Sequence, residues 1–129
     1  MIDHMGIAVS DIDKSRKFYE AALAPLGMSV QMAATPEQTE GGGTALGFGV
    51  PDEKIFWIGD GTRPGEGTHV AFRAESRDQV DAFHAAAVDA GGRDNGGPGL
   101  RLHYGANYYA AFVFDPDGAN IEAVCYAAE

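Results

Sequence analysis

Shifted by 65 positions, the chain overlays itself: His4 falls on His69, Phe18 on Phe83, Ala21 on Ala86, Ala22 on Ala87 and Gly27 on Gly92, with Val9 over Ala74 and Asp13 over Asp78. No gap is needed. Alanine matches inside a helix are cheap, so the histidine, phenylalanine and terminal glycine pairs at one offset carry the repeat. In a chain of 129 residues neither copy is long enough to bury a sizeable core alone, so the two must share one. The repeat therefore predicts one domain over residues 1–129, with module 1 at about 1–60, a linker at about 61–67 and module 2 at about 68–129.

Local signals repeat with the same spacing. Residues 2–9 alternate, with His4, Gly6 and Ala8 opposite Met5, Ile7 and Val9, the pattern of a strand packed on a core. Ser10 is placed to cap a helix that carries Ile12, Tyr19, Leu23 and Leu26 on its apolar face and stops at Gly27. In the second half residues 68–74 alternate, Ser76 and Gln79 form a capping box, and Val80, Phe83, Ala87 and Val88 make the apolar stripe before Gly91-Gly92. Further strands are expected at 45–50 and 54–58, and again at 109–114 and 120–126, with Asp115-Pro116-Asp117-Gly118 turning between the last two. The fold class is α+β.

A formal charge of −10 gives a field that repels phosphate backbones and anionic lipid surfaces, so neither nucleic acid nor membrane is an expected partner. No secretory leader and no long apolar run is evident, and the single cysteine, Cys125, cannot form an internal disulfide. These features suit the cytoplasm. Cys125 reads as a small buried hydrophobe. The glycines at 41–43, 47 and 49 lack the spacing of a dinucleotide fingerprint or a phosphate loop and read as loop and strand edge.

Three residues with metal-ligand chemistry fall on strands: His4 and His69 on the first strand of each module, and Glu122 on the last strand of the second. Two imidazoles and a carboxylate suit a divalent ion (Zn, Mn, Fe or Ni) with positions left open for water or substrate. Glu122 between Ile121 and Ala123 would be costly to bury uncompensated, which favours a ligand or ion-pair role. The repeat assigns residue 57 as the counterpart of Glu122, and residue 57 is Trp. A tryptophan cannot ligate, so Trp57 is expected to be a wall or stacking surface for substrate.

The duplicated βαβββ pattern with His4, His69 and Glu122 resembles the vicinal oxygen chelate superfamily, which includes glyoxalase I, bleomycin-resistance proteins and type I extradiol dioxygenases. The opening residues 2–11 and the closing Asp115-Pro116-Asp117-Gly118-Ala119-Asn120-Ile121-Glu122 resemble its motifs. The resemblance implies a curved mixed sheet with helices on its outer face, a homodimer, and a metal-dependent enzyme of small molecules, most often labelled a glyoxalase-type lyase or isomerase. Glyoxalase I and the related epimerase use a fourth ligand where Trp57 stands. The fosfomycin transferases and extradiol dioxygenases use three, matching His4, His69 and Glu122, although the extradiol pattern has Tyr where Phe112 stands. A metal-free, drug-sequestering binding protein is the rival implication.

Other residues keep two readings each. His103 is either a proton shuttle or a packed loop residue, with Glu122 the other candidate for proton transfer. Arg73, four residues from His69 on an alternating strand, either holds a substrate carboxylate or pairs with the acidic surface. Tyr108 and Tyr109 line a substrate cavity or fill the core. His84 is expected to be a partly solvated helix residue with no chemistry.

Overall fold

A computed structural model describes residues 1–129. The first module runs β1 (Met5–Ala8), α1 (Ile12–Leu23), β2 (Ser29–Ala34), β3 (Ala45–Val50) and β4 (Glu53–Gly59). The second runs β5 (His69–Arg73), α2 (Arg77–Asp89), two short strands β6 (Arg93–Asp94) and β7 (Gly99–Leu100), then β8 (Tyr109–Phe114) and β9 (Asn120–Cys125). Each module has its own mixed sheet, ordered β1-β4-β3-β2 in the first and β5-β9-β8-β6 in the second, with β7 also paired to β8. The strands β2, β6 and β7 carry no strong alternation and had no individual sequence signal. No helix is long and apolar enough to cross a membrane.

Strand pairing follows the repeat. In the parallel pair β1–β4, Gly6 lies opposite Trp57, and in β5–β9 Ala71 lies opposite Glu122. On the antiparallel side Gly47 faces Trp57 as Phe112 faces Glu122. Every one of these partners is 65 residues from its counterpart, so Trp57 holds the place in module 1 that Glu122 holds in module 2.

Helix boundaries follow local chemistry, with one correction. Asp11 rather than Ser10 caps α1, its Oδ1 accepting from the backbone N–H of Asp13 and Lys14 at 3.1 Å each. Ser10 is drawn away, its backbone N–H and hydroxyl both donating to the Asp117 carboxylate of the other module. After Leu23 the helix tightens into a 3₁₀ turn over Ala24–Leu26, where Pro25 cannot donate, and Gly27 ends it at φ 81. Ser76 accepts from Gln79 N–H as expected, while Gln79 reaches back to Glu75 N–H.

One cluster of 22 buried residues draws on both modules and on both helices, which pack against each other. At its centre Tyr19 of α1 lies against Phe18, Phe48 and Phe56, and Phe56 meets Phe72 of the second module edge-on at 5.1 Å. The Tyr19 hydroxyl is buried and donates to Asp115 Oδ2 at 2.5 Å. The other oxygen of Asp115 accepts from the N–H groups of Asp117 and Ala119. The acidic turn thus does more than reverse the chain: it carries the buried carboxylate through which module 2 is bonded to α1.

Replacing Tyr19 by Phe keeps the ring and removes the only side-chain donor to this carboxylate. Chemical denaturation of Tyr19→Phe should show a loss of about 1–3 kcal/mol, the cost of leaving a buried acceptor short of a partner, with the native fold retained.

Candidate metal and substrate site

The helices cover one face of each sheet, and the other faces carry the candidate residues. In module 2 that face holds His69, Ala71 and Arg73 on β5, Asn120, Glu122 and Val124 on β9, and Ala110 and Phe112 on β8. Glu122 is only 2% exposed, because the segment between β7 and β8 folds over it. Tyr108, at the end of that segment, donates its hydroxyl to Glu122 Oε2 at 2.5 Å. Partial burial, and then the bond and charge of Glu122, push the Tyr108 phenol well above its ordinary range.

Glu122 Oε1 lies 3.1 Å from His69 Nε2. The other ring nitrogen, Nδ1, is 2.9 Å from the Asn120 carbonyl oxygen. A carbonyl can only accept, so Nδ1 carries a proton and the neutral imidazole turns the Nε2 lone pair toward the carboxylate. Two lone pairs facing each other at this distance require a cation, either a proton on Nε2 or a metal ion. Donors about 2.0–2.2 Å from one zinc-like ion, subtending a tetrahedral or octahedral angle, stand about 2.8–3.6 Å apart. The His69–Glu122 pair fits that separation, and its imidazole already has the backbone partner that metal-bound histidines use to fix their tautomer.

His4 does not join this pair within one chain. It sits just before β1, exposed, with its Nδ1 at 2.6 Å from Asp3, and no three His, Cys, Asp or Glu side chains of one chain are grouped so that they could hold a metal ion. The reason is topological: β1 and β5 are each the outer strand of a separate sheet, so the repeat equates the two histidines without bringing them together.

The remaining candidates divide between faces. Arg73 shares the Glu122 face, but its guanidinium lies over the exposed Tyr126 ring at 5.0 Å and no carboxylate pairs with it. Tyr126 in turn meets Tyr108 edge-on at 5.3 Å. Tyr109 points the other way, toward α2, where its hydroxyl donates to Asp81 and Arg77 lies over its ring. Strand alternation separates it from its neighbour Tyr108, so it does not line the site. His103 is exposed on the covering segment with its ring 4.1 Å from Tyr104, and Tyr104 is a further 5.2 Å from Tyr108. That leaves His103 two rings away from Glu122. Phe112 lies beside His69 in a stacked arrangement at 6.3 Å. His84 pairs with Asp94 at 2.8 Å, tying α2 to β6. Cys125 is buried in the core.

Trp57 lines two concavities of module 1, one of about 330 Å³ against β1 and β4 and one of about 740 Å³ beside Asp3, His4 and the β3–β4 turn. Neither includes His69 or Glu122. In a single chain Trp57 and the polar pair thus occupy different places, a division that no spacing rule in the sequence could reveal.

Known proteins place this architecture. The family model described as Glyoxalase/Bleomycin resistance protein/Dioxygenase superfamily matches residues 1–123. A glyoxalase/bleomycin resistance protein from Albidiferax ferrireducens T118 superposes with TM-score 0.76 at 31% identity, covering 98% of this chain and 99% of its own. A glyoxylase/bleomycin resistance protein/dioxygenase domain from Frankia sp. EAN1pec gives TM-score 0.71 at 18% identity, with 98% of both chains covered. A variant of glyoxalase I from Zea mays gives TM-score 0.69 at 26% identity over 95% of this chain, which spans 46% of the maize chain. No curated protein matches by sequence. With a shared sequence model over nearly its whole length and a shared fold, the chain belongs to the glyoxalase/bleomycin resistance protein/dioxygenase superfamily.

Proposed function

We propose that the chain is a metal-dependent enzyme whose divalent ion chelates adjacent oxygens of a small substrate, with lyase or isomerase chemistry of the glyoxalase kind. The observation that carries this reading is the His69 Nε2–Glu122 Oε1 pair, two metal-ligating atoms facing one another on one sheet face. His69 and Glu122 hold the ion, and His4 is the third ligand. Because His4 lies outside the pair in one chain, the third ligand comes from a second copy, so the reading requires a homodimer. The two outer strands β1 and β5, with unpaired backbone edges, support such an association. A bound ion supplies Lewis acidity that stabilises negative charge developing on a substrate oxygen.

The chain's own groups orient the site. Tyr108 occupies Glu122 Oε2 and leaves Oε1 as the oxygen that faces His69. Asn120 fixes the His69 tautomer. Phe112 and the covering segment keep water from the carboxylate. His103, remote from Glu122, exchanges protons only with solvent in this arrangement, and Glu122 is the group placed for proton transfer. The unpaired cysteine supports a reducing, cytoplasmic setting.

A second reading, metal-free binding of a small molecule on Trp57, is favoured by one observation: both concavities of module 1 adjoin that ring and neither needs Glu122. Ligand quenching of Trp57 fluorescence that persists in chelator, in a protein that takes up no metal, would select it.

Elemental analysis of protein purified without a histidine tag should find close to one divalent ion per chain. His4→Ala and Glu122→Gln should each lose it, and dilution that dissociates the dimer should release it. Full metal content in either variant overturns the ligand set; a metal-loaded monomer overturns the shared site.

Tyr108→Phe should weaken metal affinity by about 10- to 100-fold, the usual effect of losing a hydrogen bond to a ligand. It also tests pH dependence. The folded Tyr108 phenol titrates above its ordinary value of 10.0, so its contribution to stability is complete below that pH and is lost as pH rises through the folded value. Denaturation curves recorded from pH 9 upward (roughly the range where phenols begin to ionise) should fall more steeply for the parent than for Tyr108→Phe.

A further inference from the structure

The cavity of about 330 Å³ in module 1 lies at the small end of ligand pockets, which run from about 300 to 1,000 Å³. None of its 13 lining residues is ionisable, although the protein carries a charge of −10. Trp57 forms its wall, with its indole laid over Gly47, where an added Cβ would come within 2.9 Å of the ring. Asp60, between the lining residues Gly59 and Gly61, does not itself line the cavity and accepts from the Thr44 N–H at 2.7 Å.

Several glycines here are required by the fold. A Cβ on Gly43 would strike the backbone of Gly61 at 2.2 Å, and one on Gly49 would strike Glu53 at 1.8 Å. Gly6 and Gly59 are different. Both are strand residues lining the cavity; neither has positive φ, and a Cβ on either would make only ordinary contacts, at 3.5 Å or more. Glycine weakens a strand unless something must approach it closely. The second module shows that the fold accepts side chains at these positions, since their counterparts 65 residues on are Ala71 and Val124. The counterpart of Gly47 is Phe112; in module 1 the Trp57 indole occupies the space over that position, and the hollow lies beside it at Gly6 and Gly59.

We propose that this cavity is a binding site for an uncharged planar ring, stacked on Trp57, and that it receives the non-chelating part of the substrate. The proposal rests on the reading that these faces meet a small substrate, but ring binding itself needs neither Glu122 nor a metal. A charged group entering the slot would give up hydration and meet no opposite charge, only neutral threonine, backbone and apolar groups. An aromatic or similar flat neutral ring loses little and gains the indole face.

Trp57 is the sole tryptophan, so its fluorescence reports on the slot directly. The full-length protein is titrated with benzyl alcohol, benzoate and benzylamine, each with and without chelator. Benzyl alcohol should quench at millimolar concentration or below, unchanged by chelator, and both charged analogues should bind at least about tenfold more weakly. Gly6→Ala and Gly59→Val, which copy the residues of module 2, should each weaken benzyl alcohol by about tenfold or more by filling the space, while Gly65→Ala, in open surroundings, should not. Benzoate or benzylamine binding as tightly as the alcohol overturns the uncharged-ring assignment. Unaltered quenching in both filled variants overturns the site. A change of oligomeric state in those variants, seen by sedimentation without loss of ring binding, makes the face an interface between copies and also overturns it. Absence of metal in the elemental analysis, with ring binding intact, overturns the metal reading and the role of the ring as the non-chelating part of a substrate, and supports ring binding at Trp57 itself.

Discussion

A single buried hydrogen bond, from the Tyr19 hydroxyl to Asp115, ties together the parts on which everything else depends. Tyr19 is surrounded by the aromatic residues of module 1, and Asp115 organises the turn that launches β9. The strand β9 carries Glu122, and its pairing with β5 sets Glu122 opposite Ala71 and next to His69. A shift of one residue in that strand would turn Glu122 into the core and Ile121 or Ala123 out of it, because side chains alternate across a sheet. Holding the turn by a side chain from the other module therefore does two things at once. It joins the halves, and it fixes which face the carboxylate occupies.

The two modules have the same backbone plan and opposite surface chemistry. At three equivalent positions module 1 presents Gly47, Trp57 and Gly59 where module 2 presents Phe112, Glu122 and Val124. In the first set the indole lies over Gly47, and Gly59 lines the cavity beside it. The second buries a carboxylate against a histidine and a tyrosine. Duplication thus supplied two copies of one scaffold, and a handful of side chains gives the two faces different chemistry. Each sheet ends in an outer strand with an unpaired edge.

Much of this was legible in the residues because the signals were local or periodic. The repeat offset fixed the equivalence of Trp57 with Glu122, and it fixed His4 with His69, by counting alone. Alternation placed the long strands near their observed limits, and the glycines at 27 and 91–92 marked the helix ends. Where the reading failed, a distant partner had overridden a local preference. Ser10 is a good cap, yet Asp117 of the other module claims its hydroxyl and Asp11 takes its place. For Tyr108 and Tyr109 the residues left two uses open, and the fold separates them: one donates to Glu122 and the other to Asp81 on the opposite side of the sheet.

The sequence by itself determined the duplicated α+β plan, the family resemblance and which residues carry metal-ligand chemistry, because periodicity, turn chemistry and ligand chemistry are properties of residues and their spacing. Only the tertiary structure decided which of those residues meet. His69 and Glu122 meet because β5 and β9 are hydrogen-bonded neighbours in one sheet, whereas His4 stands apart because β1 belongs to another. The hollow beside Trp57 was equally invisible, since empty space exists only once the surrounding strands have been placed.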